Sequence, residues 1–439
     1  MIVSKASMQL SKFGKKITNY SGILELMDDL GRAMSGKEKK YMLGGGNPAH
    51  VPEMQKLFRK RMNEILNNKR EFENIISNYD TPQGNLDFIE EFASFLKGQF
   101  GWNVTSKNIA IANGSQSAFF MLFNLLAGDM PDGKKKKILL PIVPEYIGYA
   151  DQGISEDFFV SCKPKFEIID KHAFKYHIDF NNLKITEDIA AICVSRPTNP
   201  TGNVVTDEEV DKLTDLAKKR GIPLIIDNAY GAPFPNVIFT DASLKWNENI
   251  ILSFSLSKLG LPTSRTGIIV AKEEIATALS RANAIISLAN GSLGQALIMP
   301  LLKDGKLIKI SKNYIQPFYA QRSKQARKWI YKYFDDSLPY YIHINEGSFF
   351  LWLWFKDLPI ISHVLYERLK KRDVLIVPGE YFFPGVRDKE WKHMGECIRI
   401  NFGAAPVEDV EYGIKIIADE VRKAYNNRKK MAYSQNKSD

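Results

Sequence analysis

Cysteine is scarce in this chain. Cys162, Cys193 and Cys397 are the only three in 439 residues, widely spaced and set among apolar neighbours. An odd, scattered set with no Cys-x-x-Cys pair excludes a disulfide framework and is the usage of reduced, buried thiols. Histidine is rare as well, at six residues. No His/Cys cluster has metal-ligand spacing, so no metal is expected. Apolar runs stop far short of the ~20 residues a bilayer span needs, and the N-terminus carries no apolar targeting core. These features together lead us to expect a cytoplasmic protein without a membrane partner. Internal repeats and low-complexity linkers are also missing. The net charge of +10 invites a nucleic-acid reading. Part of that excess sits in Lys134–Lys137, which reads as a solvated turn, and in the tail 422–437 with Arg428-Lys429-Lys430, which reads as a frayed helix end. No aromatic-interleaved basic stripe or helix-turn-helix signal accompanies them, so no nucleic-acid partner is expected.

What is present has the pattern of an alternating α/β protein. The glycine-rich stretch Leu43-Gly44-Gly45-Gly46-Asn47-Pro48 is a breaker that permits close backbone approach to a ligand. Short apolar runs at 109–112, 137–141, 157–161, 189–195, 223–227, 250–255 and 267–270 read as seven strands. Helical patterns lie between several of them. Thr206 and Glu209 form a capping box for one helix, with Val210, Leu213 and Leu216 at helical spacing and Gly221 ending it. Such alternation argues for an open, mostly parallel seven-stranded sheet with helices on both faces, and ligands in such sheets bind beyond the carboxyl ends of the strands. A long helical stretch near 307–334 leads to a smaller α+β unit. Its strands fall at 347–355, 375–378 and 397–402, and the N-terminal segment completes it. The expected division is 1–60 as N-terminal segment and part of the small domain, 61–325 as the large domain, and 326–439 as the small domain.

The polar residues that end these strands form a constellation. Ile250–Val270 reads as strand, turn, strand, with Ser255, Ser257, Lys258 and Arg265 in the connection. Partial burial there would lower the lysine pKa and leave its amine free to attack a carbonyl. Asn113-Gly114-Ser115-Gln116 lies between a strand and an apolar helix, either as a plain N-cap or as a phosphate cradle. Arg196-Pro-Thr-Asn199-Pro-Thr-Gly202 is either a rigid turn or a way of placing an amide beside a ligand. Asp227-Asn-Ala-Tyr230 ends an apolar strand with an aspartate, which in a buried position needs a cation or several donors. Tyr146, in Pro144-Glu-Tyr-Ile-Gly148, follows a strand and has the option of stacking on a ring. Together these groups supply what pyridoxal phosphate requires. Lys258 bonds it covalently, and Asp227 pairs with the ring nitrogen. Asn199 and Tyr230 hold the ring's phenolate oxygen. Gly114, Ser115, Gln116, Ser255, Ser257 and Arg265 surround the phosphate.

In that order the motifs Asn-Gly-Ser-Gln, Asn-Pro-Thr-Gly, Asp-x-Ala-Tyr, Ser-x-Ser-Lys and Arg resemble the fold type I, class I/II aminotransferases. Met42–Ala49, Pro144–Asp151, Ser195–Val204 and Glu346–Leu358 are similar more closely to the valine–pyruvate transaminases. The resemblance runs from about Phe13 to the final helix. The interval from Lys258 to Arg265 is a residue tighter than in many members. The resemblance implies that Arg399, in Cys397-Ile-Arg-Ile-Asn401, pairs with the substrate α-carboxylate, and that Gly44, Gly45 and Asn199 line the substrate side. It further implies that Tyr79 reaches the phosphate of a neighbouring subunit, which makes a homodimer with shared sites. The implied activity is amino transfer between a small apolar amino acid and a 2-oxo acid. Another aminotransferase, a β-lyase or a pyridoxal-phosphate-binding regulator are the alternatives. A regulator of that kind carries an added DNA-binding domain, and no such domain is visible before Leu43.

Overall fold

The computed structural model describes residues 9–36 and 38–435. The tail's basic side chains from Arg428 onward lie outside the described residues. Its organising element is a mixed sheet of eight strands. The path runs Ile109–Asn113, Thr266–Val270, Ile250–Ser255, Leu224–Asp227, Ile189–Ser195, Lys135–Leu140 and Gly128–Asp129, with Phe159–Ser161 pairing on Lys135–Leu140. The seven expected strands are all present. The eighth is the two-residue strand Gly128–Asp129, antiparallel to Lys135–Leu140, which is too short to leave a periodic signal. Thr266–Val270 runs antiparallel to both neighbours, and the five strands from Ile250–Ser255 to Phe159–Ser161 are mutually parallel.

Strands buried on both faces need continuous apolar sequence. Ile189–Ser195 and Ile250–Ser255 are buried at every position. The register then decides which polar residues meet at the carboxyl edge. Asp227 stands opposite Ser195 on one side and Ser253 on the other, and Thr266 stands opposite Asn113. The expected capping box is formed, with Thr206 and Glu209 closing the start of Asp207–Arg220 and Gly221 ending it in the left-handed region at φ 64°.

A second sheet has six strands in the order Val377–Pro378, Cys397–Asn401, Phe350–Phe355, Tyr340–His343, Ala173–His177 and Lys165–Ile168. The last two come from mid-chain, and their pairing with Tyr340–His343 is non-local. The N-terminal segment adds Tyr41–Met42, paired in parallel with Val374–Leu375. This pairing delivers the chain to Gly44–Gly46. The helical stretch after 306 is not uniform. Lys306–Ile310 passes through a π-helical turn at Ser311–Ile315 into Gln316–Tyr333. Pro317 has no N–H to donate to the preceding turn, and that turn widens. Among the described residues no helix is long and apolar enough to cross a membrane.

Candidate active site

The carboxyl edge of the large sheet opens into a cavity lined by Ser115, Gln116, Tyr146, Asn199, Asp227, Tyr230, Ser255, Ser257, Lys258 and Arg265. Ten positions singled out in the sequence therefore meet at one place. Lys258 follows the strand Ile250–Ser255, and its Nζ donates to Gly46 O at 2.8 Å. Burial, reinforced by the like charge of Arg399, lowers its amine from 10.5 to about 8. Asp227 is 8% exposed. Its Oδ2 accepts from Tyr149 OH at 2.7 Å and its Oδ1 from Ala229 N at 3.1 Å. Burial raises its carboxyl above the usual range, against the Tyr149 and Ala229 bonds and the Lys258 charge, which favour the anion.

Behind Asn199 of this lining stands Arg399, carried by the second sheet. Arg399 is 1% exposed and sits mid-strand, opposite Trp352. Its Nη1 donates to Asn199 Oδ1 at 2.7 Å and its Nη2 to Gly44 O at 2.5 Å. The guanidinium lies 4.2 Å from the Phe350 ring and 5.2 Å from the Phe382 ring, a cation–π setting that fixes its plane. Gly44 has no room for a side chain, since a Cβ there would meet Ile376 O at 2.9 Å. Gly45 O accepts from Asn401 Nδ2 at 2.6 Å. The glycine loop thus presents its carbonyls to Arg399, Asn401 and Lys258 in turn.

Gly114 precedes the helix Ser115–Leu126 with φ 87°, and a Cβ there would come 2.2 Å from Arg265 Nη2. The helix N-terminus and the guanidinium are therefore in contact, which makes a cradle for an anion. Arg265 is itself left-handed at φ 46°, an uncommon conformation for a side-chain-bearing residue. That turn brings it to the same cavity as Lys258 across their short interval. Tyr79 is 84% exposed and does not line the cavity of its own chain.

The donor set suits pyridoxal phosphate on chemical grounds. It offers an anion cradle at one end, a buried carboxylate at the other, and an amine near neutrality between them. Tyr230 is buried, and its hydroxyl has no hydrogen-bond partner among the described residues. A buried phenol without a partner is costly, and a ligand oxygen would relieve it.

A model for the family "Aminotransferase class I and II" matches residues 58–417. The chain belongs to the class I and II aminotransferases. It is 50% identical over 418 residues to the valine–pyruvate aminotransferase of Escherichia coli K12, a match covering 95% of this chain and 99% of that one. Among solved structures, a putative amino-acid aminotransferase from Psychrobacter arcticum 273-4 superposes with a TM-score of 0.93 at 45% identity, covering 96% of this chain and 100% of that chain. The valine–pyruvate aminotransferase from Salmonella typhimurium LT2 gives a TM-score of 0.84 at 49% identity, covering 92% and 99%. Membership of this family implies pyridoxal phosphate as the cofactor.

Several residues of this aminotransferase site were not singled out in the sequence. Tyr149, which bonds Asp227, follows Tyr146 by three residues in the turn Ile147–Tyr149. Its partner lies 78 residues away, and no local pattern reports that distance. Phe350, against Arg399, reads as an ordinary core aromatic. Ser195, Pro197 and Phe119 line the cavity but resemble strand, turn and helix residues found anywhere.

Proposed function

We propose that this aminotransferase exchanges the amino group of L-valine with pyruvate, giving 3-methyl-2-oxobutanoate and L-alanine. It acts in the cytoplasm as a homodimer that holds pyridoxal phosphate. The observation that carries the reading is that Lys258 and Asp227 line one cavity while the buried Arg399 is bonded to Asn199 of the same lining, with the Lys258 amine lowered toward neutrality. The 50% identity to a valine–pyruvate aminotransferase supports the choice of substrates.

When bound, pyridoxal phosphate supplies a conjugated acceptor for the electron pair left at the substrate Cα. Asp227, whose bonds from Tyr149 and Ala229 favour the anion against burial, would pair with the ring nitrogen and hold a proton there. Tyr230 and Asn199 bond the ring oxygen, and Tyr146 covers the ring. Arg265, Ser115, Gln116, Ser255 and Ser257, with the helix start at Gly114, bind the phosphate. Arg399 takes the substrate α-carboxylate by charge-assisted bonds, in a frame set by Asn199, Gly44 and Gly45. Lys258, with a pKa near 8, is free to take the proton from the substrate Cα and return it.

Substrate choice follows from the walls. The cations lining the cavity are Lys258 and Arg265, both already assigned. Phe350, Phe382 and the glycine loop add apolar surface and backbone beside Arg399. An apolar pocket discriminates size weakly, by about 1–3 kcal/mol per methylene, so valine and alanine are both expected as donors. A second carboxylate would be buried without a partner at a cost of several kcal/mol, so aspartate is expected to be poor. The check is a single-turnover panel read by the cofactor spectrum. Faster turnover with aspartate than with valine or alanine would overturn the substrate assignment.

The exposed Tyr79 motivates the dimer. Its position on the polar Tyr79–Gly84 turn suits a contact with the partner's phosphate site. Mixing Lys258→Ala chains with inactive Tyr79 variants is expected to restore part of the activity through hybrid dimers. If subunit exchange is demonstrated and no activity returns, the sites are not shared.

A further inference from the structure

Glu145 is a fully buried carboxyl at the edge of the cavity, at 0% exposure. Its Oε1 accepts from Ser195 N at 2.8 Å, and its Oε2 meets Ser195 Oγ at 2.5 Å and Tyr146 N at 3.1 Å. Its own N–H donates to Phe382 O at 2.8 Å. One residue therefore fastens three sides of the site: the end of the strand that leads to Asn199, the tyrosine that covers the ring, and the phenylalanine that lies against Arg399. No cation bonds it among the described residues. The titratable groups that act on it or feel its charge are Asp227, Tyr149 and Cys193, none of which would be positive.

We propose that Glu145 is a positioning residue of the active site whose side chain works as a neutral carboxylic acid, holding Ser195 and Tyr146 in place without setting a second negative charge beside Asp227. The two carboxyls occupy contrasting environments. Asp227 has a phenol, a backbone N–H and the nearby Lys258 charge to support an anion. Glu145 has uncharged donors alone, and burial carries its carboxyl up to about 8. Environments that separate two neighbouring acids in this way assign them different protonation states. The proton has a defined place. On Oε2 it is donated to Ser195 Oγ, while Oε1 still accepts from Ser195 N. The Ser195 hydroxyl hydrogen is then released from Glu145, and Ser195 lines the cavity. Above its pKa the acid would ionise and the Ser195 hydroxyl would turn back to it.

The kinetic part of the test rests on the transaminase reading, and the spectroscopic part does not. Infrared spectra of wild type and Glu145→Gln holoenzyme are compared from neutral to alkaline pH. The expected result is a protonated-carboxyl C=O band in wild type that is missing in Glu145→Gln and that fades as pH rises through about 8. If the two proteins show the same protonated-carboxyl bands at every pH, Glu145 is ionised and the proposal falls. In steady-state kinetics Glu145→Leu is expected to raise KM for the amino acid by about tenfold or more through misplacement. Glu145→Gln keeps an acceptor for Ser195 N and a donor for its hydroxyl, losing the Tyr146 N–H bond, and is expected to recover most of that loss. Wild-type KM and kcat in Glu145→Leu would refute the positioning role. Should Glu145→Leu fail to fold, the infrared comparison decides alone. An inactive wild type would count against the transaminase reading and leave the infrared result standing.

Discussion

Lys258→Ala is expected to abolish transamination. Proton transfer by a positioned group is worth about 10²–10⁴-fold by itself, and loss of the covalent anchor adds to that. The lysine is suited to both tasks for the same physical reason. Burial and the charge of Arg399 bring its amine down from 10.5 to about 8, so an appreciable uncharged fraction exists near neutral pH. Borohydride reduction of the wild-type holoenzyme followed by peptide mapping is expected to find the pyridoxyl group on Lys258. A label on another lysine would overturn the assignment. The lowered pKa also has a consequence for the cofactor-free protein. Its unfolded chain binds more protons than the native one between about pH 8 and 10.5, so the Lys258 contribution to stability rises with pH across that window. Below pH 8 the buried amine is a net cost. Cofactor-free Lys258→Met is therefore expected to melt higher than wild type at neutral pH, with the difference shrinking at alkaline pH. A difference that grows with pH would contradict the buried-amine account.

Arg399→Leu is the second large effect. Removing one partner of a desolvated, hydrogen-bonded charge pair costs about 2–5 kcal/mol, or roughly 30-fold and upward in kcat/KM. The α-carboxylate is common to every substrate, so valine, alanine and their 2-oxo acids should all weaken by a similar factor. That uniformity is the decisive readout. A variant that lost valine while keeping alanine would place Arg399 at the side chain rather than at the carboxylate. Arg399→Lys is expected to rescue poorly. An ammonium has no planar fork to span Asn199 Oδ1 and Gly44 O at 2.7 and 2.5 Å, and it would not stack between Phe350 and Phe382 as the guanidinium does.

Much of this was legible along the chain because it is encoded locally. The seven principal strands announce themselves as apolar runs, since a strand covered on both faces must be apolar throughout. Asp227 ends such a run, and Ser115, Lys258 and Asn199 follow theirs within four residues, where a doubly wound sheet places its ligands. The Thr206–Glu209 capping box and Gly221 are likewise short-range signals, and the helix they bound has those ends. Three kinds of feature left no local trace. Gly128–Asp129 is too short for periodicity to register. The strands Lys165–Ile168 and Ala173–His177 join a sheet whose other members lie beyond residue 339, and their pairing depends on packing rather than pattern.

The third kind decides the chemistry. Residue types and their order along the chain determined that a lysine, an aspartate and an anion cradle would meet at strand ends, because sheet topology converts that order into place. Only the tertiary structure decided their charge states. Tyr149 is directed at Asp227 across 78 residues, Phe350 and Phe382 lie against Arg399, and the buried Glu145 is bonded by uncharged donors and by no cation among the described residues. The pKa of a buried group is set by desolvation and by the few polar atoms within a few ångströms, and that neighbourhood comes into existence when the two sheets close on each other.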